Sequence, residues 1–277
     1  MVKIEHLTYR YKKGPGAVND ASGTVTPGIW LLLGENGAGK TTLLKLIAGL
    51  LRPGKGVCRL DGEDTSRHEP SVMRRLFFLP DELDVPAPTI SSLANTAGRF
   101  YPNFSEEVLA ANLQSFGLSG KEEISHTSLA ARRKLLASYA LSLGVDLLLL
   151  DEPANGLDID SKKTLRRLMA GCIDSDQTVI VSTHNISDLR ELYDGLMLMH
   201  GGKLIVCLTA DELTSRLCCV RSATEIPGAL YSERSAGVVS SIVKADGNGN
   251  SDIDYTLLYS AVMSGNSEII KILSEND

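Results

Sequence analysis

The stretch IWLLLGENGAGKTTLLKLIAGL, Ile29 to Leu50, decides the fold. Its first five residues, Ile29–Leu33, are apolar without interruption, as in a strand buried on both faces. GENGAGKTT, Gly34 to Thr42, then fits the spacing GxxxxGK followed by Ser or Thr. The apolar run Lys40–Leu50 reads as a helix. A strand feeding a glycine-rich turn lets successive backbone N–H groups point inward, and glycine avoids the Cβ clash that such a turn would cause. The helix adds its positive N-terminus. The segment Gly34, Asn36, Gly37, Ala38, Gly39 is therefore a candidate cradle for phosphate, completed by Lys40, Thr41 and Thr42. Lys40 can reach the β- and γ-phosphates as a point charge, and the Thr41 hydroxyl is placed to ligate Mg²⁺.

Outward from this loop, short apolar runs alternate with helical patterns. Strands are expected at Ile29–Leu33, Leu76–Leu79, Leu147–Leu150, Val179–Val181 and Leu196–Met199. Helices are expected at Lys40–Leu50, Ser105–Gly117, Ser128–Leu143, Ser161–Cys172 and Ser187–Tyr193. That alternation predicts an α/β fold of the P-loop NTPase type, with a mostly parallel sheet covered on both faces. Lys3–Tyr11 alternates instead, as an antiparallel edge strand would. No long buried strand is visible between Asp81 and Thr127, so a helical insertion is expected at about 85–145. The GNGNSD run at Gly247–Asp252 reads as a loop. The expected division is an α/β unit over 1–206 and a small C-terminal appendage over 207–277, with one or two closing helices in Tyr255–Leu273.

The chain has 277 residues, 43% hydrophobic and 22% charged, which excludes general disorder. No run of about 18 apolar residues spans a bilayer, and MVKIEHLTYRYKK lacks the apolar core of a secretory signal. The net charge of −6 argues against a nucleic-acid partner. The 5 cysteines form no metal-like CxxC pair, as expected of free thiols in a reducing cytosol. The basic run Lys162, Lys163, Arg166 and Arg167 reads as a solvated helix face.

A second acidic site narrows the chemistry. LLLLDEP places Asp151 at the C-terminal end of a buried strand, where ligands of parallel sheets bind. Asp151 would hold Mg²⁺. Glu152, one residue on, faces differently and could polarise an attacking water. No NKxD string exists for guanine.

With these residues the sequence resembles the ATP-binding cassette family, the ATPase subunits of membrane transporters, over about residues 1–206. DEPANGLD, Asp151 to Asp158, is similar to the family's Walker B motif and D-loop. VIVSTHNI sets His184 where the family carries its switch histidine. Tyr11 sits where the family stacks a ring on adenine, although Tyr9 lies on the same face two residues away. LMLMHGGKLIV resembles the family's closing strand–turn–strand. The resemblance implies an ATP-hydrolysing subunit with ATP and Mg²⁺ as cofactors. Lys40, Glu152 and His184 would be catalytic, and Thr41 and Asp151 would ligate the metal. Its implied partners are a membrane permease and a second ATPase subunit, like or unlike, so the chain would sit on the inner face of the cell membrane. FYPNFSEEVL, beside a single cassette, resembles bacterial exporters of drugs, peptides or antibiotics. A soluble cassette ATPase and a weakly hydrolysing regulatory subunit are the alternatives.

Two motifs depart from the family. In the register of its LSGGQ signature stands TSLAA, Thr127 to Ala131, with Leu129 and Ala130 replacing two glycines. Ser128 can still cap a helix and offer N–H groups to the partner's ATP. The family's Q-loop glutamine is Asp81, which follows LFFLP. A carboxylate accepts hydrogen bonds but donates none. Asp81 is kept as a third candidate metal ligand.

Overall fold

The computed structural model describes residues 1–12, 16–82, 88–172, 176–184, 193–245 and 253–274. The chain opens with β1 (Val2–Arg10), whose Val2, Ile4 and Leu7 turn inward. β1 pairs antiparallel with β2 (Gly16–Val25) and with β4 (Lys55–Leu60). A short β5 (Glu63–Asp64) completes this sheet in the order β2-β1-β4-β5.

The larger sheet is built from the apolar runs. It holds β3 (Gly28–Gly34), β6 (Leu76–Leu79), β7 (Leu147–Asp151), β8 (Thr178–Thr183), β9 (Gly195–His200) and β10 (Lys203–Thr209), in the order β10-β9-β3-β8-β7-β6. All neighbours are parallel except β9 and β10, which turn back on each other at Gly201–Gly202. The five strands expected from the sequence are all present. Register decides where the site forms: Leu33 pairs with Thr183, and Asp151 pairs with Ser182. The C-terminal ends of β3, β7 and β8 therefore lie side by side.

Alternation along these strands sorts side chains to two faces. Trp30, Leu32, Leu147, Leu149 and Ile180 pack with α1 (Lys40–Ile47) and the antiparallel sheet. Leu148, Leu150, Val179 and Val181 pack with a helical layer. That layer includes α3 (Ile90–Thr96), α4 (Glu106–Ser115), α5 (Leu129–Leu141) and α6 (Ile159–Cys172). A short α2 (Pro70–Met73) precedes β6. Among the described residues between Asp81 and Leu147 no strand forms. The expected helix Lys40–Leu50 stops at Ile47, because Gly49 turns left-handed (φ 74°) and a Cβ there would lie 2.3 Å from the Thr65 carbonyl oxygen. Most of the expected helix at Ser187–Tyr193, and the Gly247–Asp252 run, lie outside the described residues.

The C-terminal segment holds more than closing helices. After α7 (Ala210–Arg216) come β11 (Leu217–Ser222), β12 (Tyr231–Ser235) and β13 (Val238–Lys244), an antiparallel sheet in the order β11-β13-β12. Two helices, α8 (Tyr255–Met263) and α9 (Ser267–Ser274), follow. Leu257, Leu258, Ala261, Ile269 and Leu273 share one cluster with Leu31, Leu33, Leu196 and Leu198 of the large sheet. This segment thus covers the part of the sheet face left open by the helical layer, and residue 207 falls within β10.

Candidate functional site

The loop between β3 and α1 is fixed by its own backbone and by its neighbours. The Ala38 N–H donates to the Glu35 carbonyl at 3.0 Å, and the Gly202 N–H donates to the Ala38 carbonyl at 3.1 Å. The same Gly202 accepts from the Asn19 N–H at 2.7 Å, so the β9–β10 turn braces the loop against β2. Gly39 is left-handed (φ 104°), and a Cβ there would meet the Ala17 carbonyl oxygen at 2.1 Å. No other residue fits that position without moving β2.

A cavity of about 430 Å³ lies over this loop. Its lining includes Tyr11, Asn36, Gly37, Gly39, Lys40, Thr41, Thr42, Asp81 and Glu152. Gly16, Ala17 and Glu35 join them, three residues that sequence reasoning did not select. Tyr11 is half-exposed at the rim, and its hydroxyl lies 3.2 Å from Thr42 Oγ1. Tyr9 packs instead against the core behind, with its ring edge to Tyr11 at 5.0 Å between centroids.

Lys40 is buried, yet its Nζ reaches across the loop. It donates to the carbonyls of Gly34 at 2.7 Å and Glu35 at 3.3 Å, and lies 3.9 Å from Glu152 Oε1. Burial holds the Lys40 pKa below its ordinary value, while Glu152 and Asp151 pull it back up. A desolvated cation beside a basket of N–H groups favours a polyanionic ligand, whose charge would offset its own desolvation.

The acidic side is as closely built. Asp151 is buried at the end of β7. It accepts from Thr41 Oγ1 at 2.7 Å with one oxygen and from Ser182 Oγ at 2.5 Å with the other. A hydroxyl and a carboxylate held together at the mouth of a phosphate loop are the oxygen donors a Mg²⁺ ion takes, so these residues fit the metal that the motif implies. Glu152 adopts φ 48°, a conformation uncommon for a side chain of its size. Its N–H donates to the Ser182 carbonyl (3.2 Å) and Oγ (3.1 Å), and its Oε1 lies 2.9 Å from His184 Nδ1. Glu152 and His184, 32 residues apart in sequence, are thus hydrogen-bonding neighbours.

Ser128 caps α5, accepting from the Ala131 N–H at 3.2 Å. It is exposed and outside the lining of this cavity, and so is Leu129, which projects 55% exposed at the same helix end. Asp81 lines the cavity, but its Oδ1 is engaged by the guanidinium of Arg133 at 2.5 Å. Sequence reasoning missed Arg133 and Ser182. Ser182 had a signal, since it lies at the C-terminal end of the apolar strand β8, just before His184. Asp158 caps α6: its carboxyl is held down to about 2 by the Ser161 backbone N–H and then by the Ser161 hydroxyl.

With the geometry in hand, the chain can be set beside known proteins. The ABC transporter family model matches residues 18–155. The ABC transporter ATP-binding protein NatA of Bacillus subtilis is 32% identical over 217 residues, covering 74% of this chain and 88% of NatA. The chain belongs to the ABC transporter family. It is an ATP-binding subunit of that family and an ATPase. The bacitracin transport ATP-binding protein BcrA of Bacillus licheniformis is 28% identical, over 77% of this ABC subunit and 67% of BcrA. The daunorubicin/doxorubicin resistance ATP-binding protein DrrA of Streptomyces peucetius is 29% identical, over 68% of the subunit and 59% of DrrA. Among solved structures, the ATP-binding subunit of an ABC transporter superposes with a TM-score of 0.67 at 24% identity, over 76% of this subunit and 91% of that chain. A dimeric cassette in a post-hydrolysis state with ADP and Pi gives 0.64 at 21% identity, over 76% and 98%. Both likenesses bear on the fold. Among the described residues of this ABC subunit, no helix is long and apolar enough to cross a membrane.

Proposed function

We propose that this chain hydrolyses ATP to drive a separate membrane permease that exports a drug, peptide or antibiotic-like compound. One observation carries the catalytic part: Lys40, the Thr41–Asp151 pair and the Glu152–His184 pair all converge at one end of the parallel sheet. Tyr11 would pack against the base at the rim. The N–H groups of Gly34, Asn36, Gly37, Ala38, Gly39, Lys40, Thr41 and Thr42 would cradle the phosphates. Thr41 and Asp151 would hold Mg²⁺, which when bound would neutralise charge on the triphosphate. Glu152 would orient a water for attack on the γ-phosphorus and take its proton, and His184 would aim Glu152 and contact the γ-phosphate.

Ser128, exposed at the start of α5, would serve the ATP of a second ATPase subunit, so that each site is finished by its partner. The division into an ATPase unit over 1–206 and an addition over 207–277 belongs to the same proposal, as does a place on the inner face of the cell membrane. Export is supported by the printed roles of two relatives, bacitracin transport and daunorubicin/doxorubicin resistance. ATP turnover tests this. The chain is purified alone and with the membrane protein that co-purifies with it, the latter in lipid vesicles. Turnover should rise in the complex and rise further when an exported antibiotic is added. Equal rates in all three samples would rule out the coupling to transport.

A further inference from the structure

Glu152 is held in an uncommon backbone conformation, and such conformations persist only where the surroundings over-determine them. Ser182 restrains its N–H and His184 its carboxylate. Its carbonyl is held twice: by the Asn155 N–H of the following turn, which donates to it at 3.1 Å, and by a side chain from outside the sheet. Arg133 Nη1, on α5, donates to the Glu152 carbonyl at 3.0 Å. Nη2 of the same guanidinium donates to Asp81, at 2.5 Å to Oδ1 and 3.3 Å to the carbonyl.

We propose that Arg133, aimed by Asp81, is a positioning residue that fixes the backbone of Glu152. The planar guanidinium suits this task, because its fork sets two directions at once. Asp81 supplies a charge-assisted acceptor where a neutral amide would hold the fork more weakly. The aspartate at this place is therefore matched to an arginine 52 residues away, and its first duty is to that arginine. Fold stability alone does not account for the arrangement. A buried guanidinium costs desolvation, and among the described residues its Nε has no hydrogen-bond partner.

The inference rests on Glu152 acting as the base, and the experiment separates the two. Steady-state ATP turnover of the full chain is measured for Asp81→Asn, Arg133→Lys, the double variant and Glu152→Gln. Each single change should lower kcat by about ten- to a hundredfold, because a small misplacement of the base is costly, with KM for ATP nearly unchanged. The double variant should be no slower than the slower single variant, since the two residues act as one unit. The Mg²⁺ concentration that protects the ATP-loaded chain from thermal unfolding should match wild type. A raised Mg²⁺ requirement in Asp81→Asn would make Asp81 a metal ligand and overturn the proposal. An Asp81→Asn variant with full kcat beside an inactive Glu152→Gln would overturn the positioning role alone. A fully active Glu152→Gln would remove the base itself. Should Arg133→Lys fail to fold, Asp81→Asn decides, because Asp81 is 40% exposed and asparagine keeps an acceptor for the guanidinium.

Discussion

The two sides of the nucleotide site are built on different terms. The phosphate loop and the ends of β7 and β8 form a closed set, in which Lys40, Thr41, Asp151, Glu152, Ser182 and His184 each hold or are held by another member. The start of α5 is open: among the described residues the Ser128 side chain caps its own helix, and Leu129 stands in solvent. The closed side keeps every residue type its chemistry needs. On the proposed reading the open side would face another subunit's nucleotide, and Leu129 and Ala130 stand there where the signature that TSLAA resembles carries two glycines. On that reading, one chain supplies the side chains around the phosphates and the metal, and what it would offer a partner's site is altered.

The largest effect should come from the closed side. Glu152→Gln keeps the size and hydrogen bonds of the side chain but removes its basicity. Turnover should fall by about 10²–10⁴, the usual contribution of a positioned base, while ATP binding stays near wild type. Single-turnover hydrolysis together with ATP calorimetry would check both. Full turnover would show that the tight set around Asp151 is structural.

Lys40→Met should act next, on binding. Charged hydrogen bonds contribute about 1.5–3 kcal/mol, so affinity for ATP should weaken by roughly ten- to a hundredfold. Unchanged affinity would contradict a phosphate cradle at this loop. In the nucleotide-free chain the same lysine carries a signed pH effect. Burial holds its folded pKa below the ordinary 10.5, so the folded state releases the proton first. Wild type should gain stability relative to Lys40→Met as pH rises through the window just below 10.5. Urea titrations of both proteins at two alkaline pH values would read that difference.

The same contrast explains what could be read without coordinates. The phosphate loop is legible because spacing and strand–helix context specify it locally. The strand Leu147–Asp151 is legible because four leucines in a row suit only a doubly covered strand. His184 is legible through the resemblance of VIVSTHNI to the family's switch segment, since its place after an apolar run alone would suit an ordinary strand-end residue. Arg133 is not legible: in ARRKLLASYAL it looks like one more cation on a helix, and only the fold brings Asp81 and the Glu152 carbonyl to it. The C-terminal sheet is hidden for another reason. β12 is exposed along most of its length and β11 only half-buried, so neither shows the unbroken apolar run of a central strand. Its packing on Leu31, Leu33, Leu196 and Leu198 depends on which sheet face the other helices leave bare.

The smallest expected effect tests the open side. A signature segment has to bring backbone N–H groups at a helix N-terminus close to a partner's phosphate, and side-chain bulk there limits the approach. Ser128 already supplies a hydroxyl and the cap, so the loss lies in Leu129 and Ala130. Ala130→Gly removes one methyl group at the second of these positions, but it also loosens the first turn of α5, at a cost of about 0.5–1 kcal/mol. These opposing terms limit the gain to about two- to fivefold in turnover, seen only in an assembly where this α5 finishes an active site. The comparison that reads it is wild type against Ala130→Gly in the permease complex, with the isolated chain as reference. A rise confined to the complex would show that the open side is weakened yet still in use. Unchanged turnover in both would mean that α5 contributes nothing to hydrolysis at the partner's site.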